Sequence, residues 1–259
     1  MKNAIFLIII SFLFFSCKQG RNSELKGNVE SIKESEYRAD EKFGEPIREE
    51  LDHVLVYDYD EHNNKVKEIA YDNDGDESYH AEYTYNKKNE IVFLERIYTK
   101  DFMMNVLAKD TTYYYSNLIK TTEEWISREL LITKDITDDG VVTDTTKIDL
   151  DKNGNPFKHT HRNSHGSTSV TLFTYTKKGD LTEKKWLGYG EDVEQWERHE
   201  YDKNRLLVKT NILYSRGSAS NDSIIYEYKL DDKSNWIERV KKENGKVSQI
   251  TEREITYRK

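Results

Sequence analysis

The sequence predicts an all-β fold, an antiparallel meander of repeated β-hairpins laid out as an open sheet. Three observations carry this. Aromatic residues alternate with polar ones at period two, as in Ile225 to Val240, where Tyr226 and Tyr228 are interleaved with Glu227 and Lys229. Polar turn formers follow, here Asp231, Asp232, Ser234 and Asn235, before Trp236 and Ile237 begin a return strand. The unit also recurs. The residues placed just before each turn are Tyr59, Tyr85, Tyr115, Leu150, Tyr175, Tyr201 and Tyr228, at successive intervals of 26, 30, 35, 25, 26 and 27. A near-constant period with polar turns marks an array in which each hairpin buries its aromatic face against its neighbours.

Composition agrees. Charged residues are 34% and hydrophobic ones 36%, against roughly 25% and 45–50% in an ordinary domain. Yet the chain has 18 Tyr, 9 Phe and 4 Trp with 2 Pro, which suits a thin aromatic core under a large polar surface better than disorder.

In chain order, Lys2 and Asn3 precede an apolar run from Ala4 to Phe15, too short to span a bilayer as a helix, which needs roughly 20 residues. It reads as a signal peptide. Phe14-Phe15-Ser16-Cys17 resembles the lipobox of bacterial lipoproteins, although Phe14 stands where Leu is usual. The resemblance implies cleavage after Ser16 and lipidation of Cys17. Lys18 follows where Asp would retain a lipoprotein at the inner membrane, so the expected address is the outer membrane. The expected organisation is a signal over 1–16, a lipidated tether over 17–24 and a single hairpin-repeat domain over 25–259. The mature chain keeps 39 basic against 48 acidic residues, a net −9. Such a charge disfavours a nucleic-acid partner, and the anchor rather than electrostatics is expected to hold the chain at a membrane.

Val29 to Ala39 is the first expected strand, with Val29, Ser31 and Lys33 on one face and Ile32 and Glu34 on the other. Phe43-Gly44-Glu45-Pro46 is a turn, and Leu51 to Tyr59 resumes as strand. The unit then repeats over Leu55–Tyr71, Ala81–Tyr98, Thr112–Trp125, Lys147–His161, Leu172–Trp186 and Arg198–Tyr214. Thr122 to Ile132 reads as helix or strand. Ile126, Leu130 and Ile132 on one face favour a strand continuing to a turn at Asp138-Asp139-Gly140. Thr99 to Lys109 has no assignment, and Arg216 to Ser223 is a loop or wide hairpin tip.

Tyr57-Asp58-Tyr59-Asp60 and His199-Glu200-Tyr201-Asp202, each followed by a polar turn and an apolar return, resemble the YD repeat of RHS-type proteins. The likeness is greatest to the short lipid-anchored YD-like proteins of Bacteroidetes, and it covers about Leu55 to Val240 in degenerate form. It implies the sheet. Seven or so units are too few for the toxin-enclosing shell of the large members.

Site chemistry is sparse. Asp149-x-Asp151-x-Asn153-Gly154 matches the opening of a calcium loop, but Thr160 stands where the bidentate Glu belongs, and Asn153-Gly154 is a strong turn dipeptide. Asp72-Asn73-Asp74-Gly75-Asp76 is read as a turn too. His159 and His161 share a strand face, with His165 in the next turn, a spacing that suits zinc. No carboxylate that would orient them is legible, so the expectation is no metal and no cofactor. No nucleophile–base motif or phosphate loop appears. Glu123-Glu124 and Glu191-Asp192 are the acidic pairs a glycosidase reading would use, but among 48 acids adjacency says little. Trp125, Trp186, Trp196 and Trp236 are the candidate platforms for stacking on a ligand such as a sugar, with at most one or two expected to be exposed. The expected role is non-enzymatic binding or scaffolding in the cell envelope, through a membrane anchor at Cys17 and possible contact with a glycan or another envelope protein. A glycan-binding accessory protein is the alternative, and a polysaccharide hydrolase a more remote one.

Overall fold

Hairpins of this kind leave a row of unpaired backbone groups at each end of an open array, and the chain removes both rows by joining its ends. The structure is a computed structural model that describes residues 25–107, 113–137, 140–187, 192–215 and 221–259. Signal, tether and Cys17 lie outside these. The strands are β1 (Val29–Lys42), β2 (Glu45–Tyr59), β3 (Lys65–Asp72), β4 (Glu77–Tyr85), β5 (Ile91–Leu107), β6 (Tyr113–Ser127), β7 (Leu130–Thr137), β8 (Gly140–Leu150), β9 (Pro156–Arg162), β10 (Thr168–Tyr175), β11 (Leu181–Leu187), β12 (Val193–Tyr201), β13 (Leu207–Tyr214), β14 (Asn221–Leu230), β15 (Trp236–Glu243) and β16 (Lys246–Tyr257). Each pairs antiparallel with its neighbours in sequence, and β1 pairs with β16 from Val29↔Tyr257 to Arg38↔Gln249. The expected open sheet is therefore corrected to a closed barrel of sixteen strands. Barrels of this strand number are wide enough to leave an aqueous lumen.

The turns sort by rim. Those after even-numbered strands lie at one end, and most share one design. The first residue, Asp60, Asn86, Asp151, Asp202 or Asp231, turns its side chain back to accept the amides two and four residues on, at 2.8–3.1 Å. Thr176 does the same with its hydroxyl. The fourth residue is left-handed: Asn63, Asn89, Gly154, Gly179, Arg205 or Ser234. A register shift precedes each, as between Asp58 and Tyr59 or Glu200 and Tyr201. The hairpins are tied laterally. Tyr85 donates its hydroxyl to the Lys65 carbonyl at 2.7 Å, and Tyr228 donates to the equivalent Leu207 carbonyl at 2.8 Å. At the seam Arg258 donates to the carbonyls of Tyr59 and Asp60.

Five local readings change. Phe43 and Gly44, both at positive φ, alone make the first turn, and Glu45 and Pro46 are already in β2. A register shift between Val29 and Ser31 puts Val29 in one buried cluster with Ile32. The turn expected after Tyr115 does not form, because β6 runs through it. The strand expected through Ile126 to Ile132 instead breaks at Arg128-Glu129, where β6 turns back into β7. In the last repeat the residue before the turn is Leu230, two beyond Tyr228. Thr99 to Leu107 belongs to β5. Asp138, Asp139 and 216–220 lie outside the described residues.

Candidate functional site on the lumenal face

Strand alternation divides the wall into two faces. Register partners Ile32, Tyr57, Glu68, Ala81, Arg96, Thr121 and Asp135 form one row of the first face. Around the wall the same face presents Leu94, Trp125, Ile148, Thr210 and Thr251. It holds most of the buried residues among those described. Curvature of a closed wall crowds inward side chains, so this is the lumenal face. The second face carries rows such as Asp58, Lys67, Glu82, Glu95, Thr122 and Lys134.

The lumenal face bears charge in paired clusters. Glu68 of β3 is 6% exposed. Its carboxylate accepts from Lys65 Nζ at 2.6 Å, the Tyr79 hydroxyl at 2.6 Å and the Tyr83 hydroxyl at 2.8 Å. The Lys65 ammonium lies 4.8 Å from both the Tyr57 and Tyr83 ring centres, and the Arg96 guanidinium 5.0 Å from that of Tyr79. Burial pushes Glu68 up, but Lys65, the Tyr79 hydroxyl and Arg96 outweigh it and hold the carboxyl at about 2. Burial raises the Tyr57, Tyr79 and Tyr83 phenols, reinforced by the Glu68 charge. Beyond Arg96, burial raises Glu123 and Asp135, against the Arg96 charge in both and a Thr121 hydroxyl bond of 2.6 Å in Asp135. The cluster is a charge network centred on Glu68, with Arg96 Nε and one Glu123 oxygen buried without a hydrogen-bond partner.

A second cluster lies across β9 to β12. Lys184 Nζ is 3.6 Å from Glu197 Oε1, Glu197 accepts from Gln195 at 2.7 Å, and His199 Nε2 is 3.7 Å from the other Glu197 oxygen. The His159 ring packs on Phe173 with centres 4.6 Å apart. Burial, then the Lys184 charge, lowers His159 to about 4, so the imidazole is neutral at neutral pH. Burial also lowers His199 and Lys184, while Glu197 pulls both back. A third cluster surrounds Trp236, 6% exposed, with Arg253 and Arg239 over its ring at 3.3 and 5.1 Å, and Arg253 Nε donating to Glu34 at 2.6 Å.

The sequence-predicted residues scatter over this wall. Trp125 and Trp236 are buried in it. Trp186, 37% exposed, shares the lumenal face with its register partners Thr171 and Gln195. Trp196 lies on the outer face under Lys185 and Arg198, whose charged groups sit 4.5 and 3.8 Å from its ring centre. His159 and His161 do share a face, but His161 Nε2 sits 3.3 Å from Asp144 and its Nδ1 3.2 Å from the Thr146 hydroxyl, while His165 is exposed at the far rim. Asp144 is the orienting carboxylate that the local sequence did not reveal. It lies on the adjacent strand, 17 residues earlier. Asp151 spends its carboxylate on the turn amides of Asn153 and Asn155, and Asp149 on Lys147 at 3.0 Å. Glu123 and Glu124 point to opposite faces and cannot act as a pair; Glu191 lies outside the described residues. Among the described residues, Glu36, Asp52 and His53 bring ligand atoms within 4.8 Å of one another, a trio the sequence reading missed. Glu68 and Arg96 were missed as well, although both fall in the phase set by the repeat tyrosines.

No family model matches the chain, and no curated protein does. Among solved structures, a porin-like protein from Bacteroides uniformis aligns at 10% identity and TM-score 0.37, over 90% of this chain and 99% of that one. A porin-like protein from Bacteroides vulgatus aligns at 12% identity and TM-score 0.44, over 86% of this chain and 98% of that one. The TcdB2-TccC3-Cdc42 complex aligns at 10% identity and TM-score 0.30, over 78% of this chain and 12% of that one.

Proposed function

We propose that this chain is a lipid-anchored envelope protein of the YD-repeat type. Cys17 tethers the barrel at the outer membrane, and the barrel stands in water, acting there by binding or scaffolding without catalysis. The observation that carries this is the charge on both faces of the wall. A lipid-embedded barrel shows an outward apolar band about 25 Å tall, and a lysine at its midplane costs about 2–4 kcal/mol. Here the outer face carries Lys67, Glu82, Glu95 and Lys134 in adjacent register rows, Glu183, Lys185 and Arg198 farther round, and Lys229, Glu238 and Glu252 near the seam. Among the described residues the lumenal face offers no apolar band either. Several such costs would exceed the 5–15 kcal/mol that holds a domain together.

The expected result is that the wild-type chain fractionates with membranes. A variant whose residues 1–17 are replaced by a cysteine-free, cleavable secretory leader should appear in the soluble envelope fraction. Retention of that variant in membranes through an alkaline wash would show a barrel embedded in lipid and overturn the reading.

Binding of a glycan is the second reading, favoured by Trp186. Its ring is partly open to the lumen between Thr171 and Gln195, an apolar plane with polar neighbours of the kind sugars stack upon. On this reading an oligosaccharide array should yield a ligand that Trp186→Ala binds about tenfold more weakly, the equivalent of about 1.4 kcal/mol. No ligand on the array, or equal binding by the variant, removes it.

A further inference from the structure

Among the described residues, the two rims of the barrel share a turn design and differ in charge. In that design the first residue accepts backbone amides and the fourth is left-handed, which leaves the second and third positions free of any structural duty. At the rim after even-numbered strands these free positions hold Lys87-Lys88, Lys152, Lys177-Lys178, Lys203 and Lys233, all exposed, with Lys233 lying over the Tyr257 ring. None of the seven forms an ion pair among the described residues. Glu61 and Asp232 are the acids at the same positions, and Asp60, Asp151, Asp202 and Asp231 open four of these turns. At the opposite rim, two turns of the same geometry begin at Asp72 and Asn163. Their free positions are Asn73-Asp74 and Ser164-His165, with Asp76 exposed beside the first, and the other described turns of that rim expose Asp40, Glu41, Glu45 and Glu243 against Lys42 and Lys246. Since turn formation is indifferent to the residue there, the lysines call for another explanation.

The chain enters the barrel at the basic rim. The Lys26 amide donates to Asn235 Oδ1 at 2.7 Å, and Asn63 Nδ2 donates to the Gly27 carbonyl at 2.8 Å, both within turns of this rim. Cys17 is eight residues before Leu25, a reach of at most about 26–29 Å. We infer that the lysine-bearing rim is a docking surface for an anionic membrane surface, so that the barrel stands on the headgroups with its acidic rim away from the bilayer. The orientation rests on the lipid anchoring proposed above; the charge asymmetry does not. A net charge of −9 does not prevent this. At physiological salt a charge acts over about 8 Å, so the rim facing the lipid determines the interaction. Each lysine near an anionic leaflet adds to the attraction, which supplements a lipid anchor that is weak when its acyl chains are few.

The test uses the unlipidated, leader-swapped full chain and two kinds of vesicle, phosphatidylcholine alone and phosphatidylcholine with about one third phosphatidylglycerol. Sedimentation should show binding to the anionic vesicles that fades as salt is raised. Lys87→Glu with Lys177→Glu should weaken that binding at least tenfold. Lys42→Glu with Lys246→Glu makes the same change in net charge at the opposite rim and should weaken it less than threefold. Equal effects of the two pairs, or equal binding to neutral vesicles, overturn the inference. So does no binding at all. Far-UV circular dichroism verifies each fold, and Lys87→Gln with Lys177→Gln repeats the comparison if charge reversal disturbs a turn. Membrane fractionation of the lipidated chain reads the anchor alone, so failure of one reading is visible apart from failure of the other.

Discussion

Ending the chain before Ser223 should abolish cooperative folding. A linear array of hairpins would lose one unit and keep the rest, since each unit would contact only its neighbours. In the closed wall the same cut removes most of β14 and all of β15 and β16. It leaves β1 without its partner from Val29 to Arg38 and β13 without β14. Two ladders of backbone groups open to water. The seam bonds of Arg258 and the Trp236 cluster with Arg253 and Glu34 go with them. The truncated chain should show weakened β circular dichroism and no sigmoidal melt. A circular permutant provides the contrast, with new ends between Phe43 and Gly44 and a short linker joining Lys259 to Leu25. The native ends already meet, since the Arg258 amide donates to the Asn28 carbonyl at 2.9 Å. Every strand pair survives in the permutant, so it should melt cooperatively near wild type. A truncated chain that retains β signal in proportion to its length and still melts cooperatively would show that closure is dispensable.

What could be read from the residues was local. Period-two alternation and Asp- or Asn-led turns act over two to five positions, so the strands around Tyr59, Tyr85, Tyr175 and Tyr201 were legible with their turns. Closure joins Ile32 to Ile255, and nothing near either residue encodes a partner more than 200 positions away. Ser116-Asn117 looked like a turn because those residues commonly make one. The paired strands on either side carry β6 straight through it. The lumenal chemistry was half legible. The repeat tyrosines set the inward phase, and Glu68 and Arg96 fall in that phase with no local reason to be charged. Their partners are fixed by strand register, which places Ala81 between Glu68 and Arg96. The same register brings Asp144 to His161. Trp125 and Trp236 show the reverse error, where an aromatic that looked suited to a ligand is consumed by packing in the wall.

Glu68→Ala should destabilise the barrel by about 3–5 kcal/mol, the usual cost of removing one partner from a buried charge network. The deleted carboxylate is the shared acceptor of Lys65, Tyr79 and Tyr83. Without it the ammonium and two hydroxyls remain in the wall with their desolvation uncompensated, and Arg96 loses a nearby negative charge. Glu68→Gln keeps acceptor oxygen and volume but not charge, so it should fall between wild type and Ala. The pH dependence separates charge from packing. The folded carboxyl is held at about 2, below its ordinary 4.5, so its contribution is complete above pH 4.5 and is lost as pH falls toward 2. The stability gap between wild type and Glu68→Gln should therefore be widest near pH 5 and shrink steadily to pH 2. Taking the difference also cancels groups that titrate the other way, notably Glu123, Asp135 and Glu36, which burial raises. Urea denaturation of the two proteins at half-unit pH steps measures the gap. A gap that stays constant from pH 5 to pH 2 would mean that Glu68 contributes shape and hydrogen bonds to the wall and no charge.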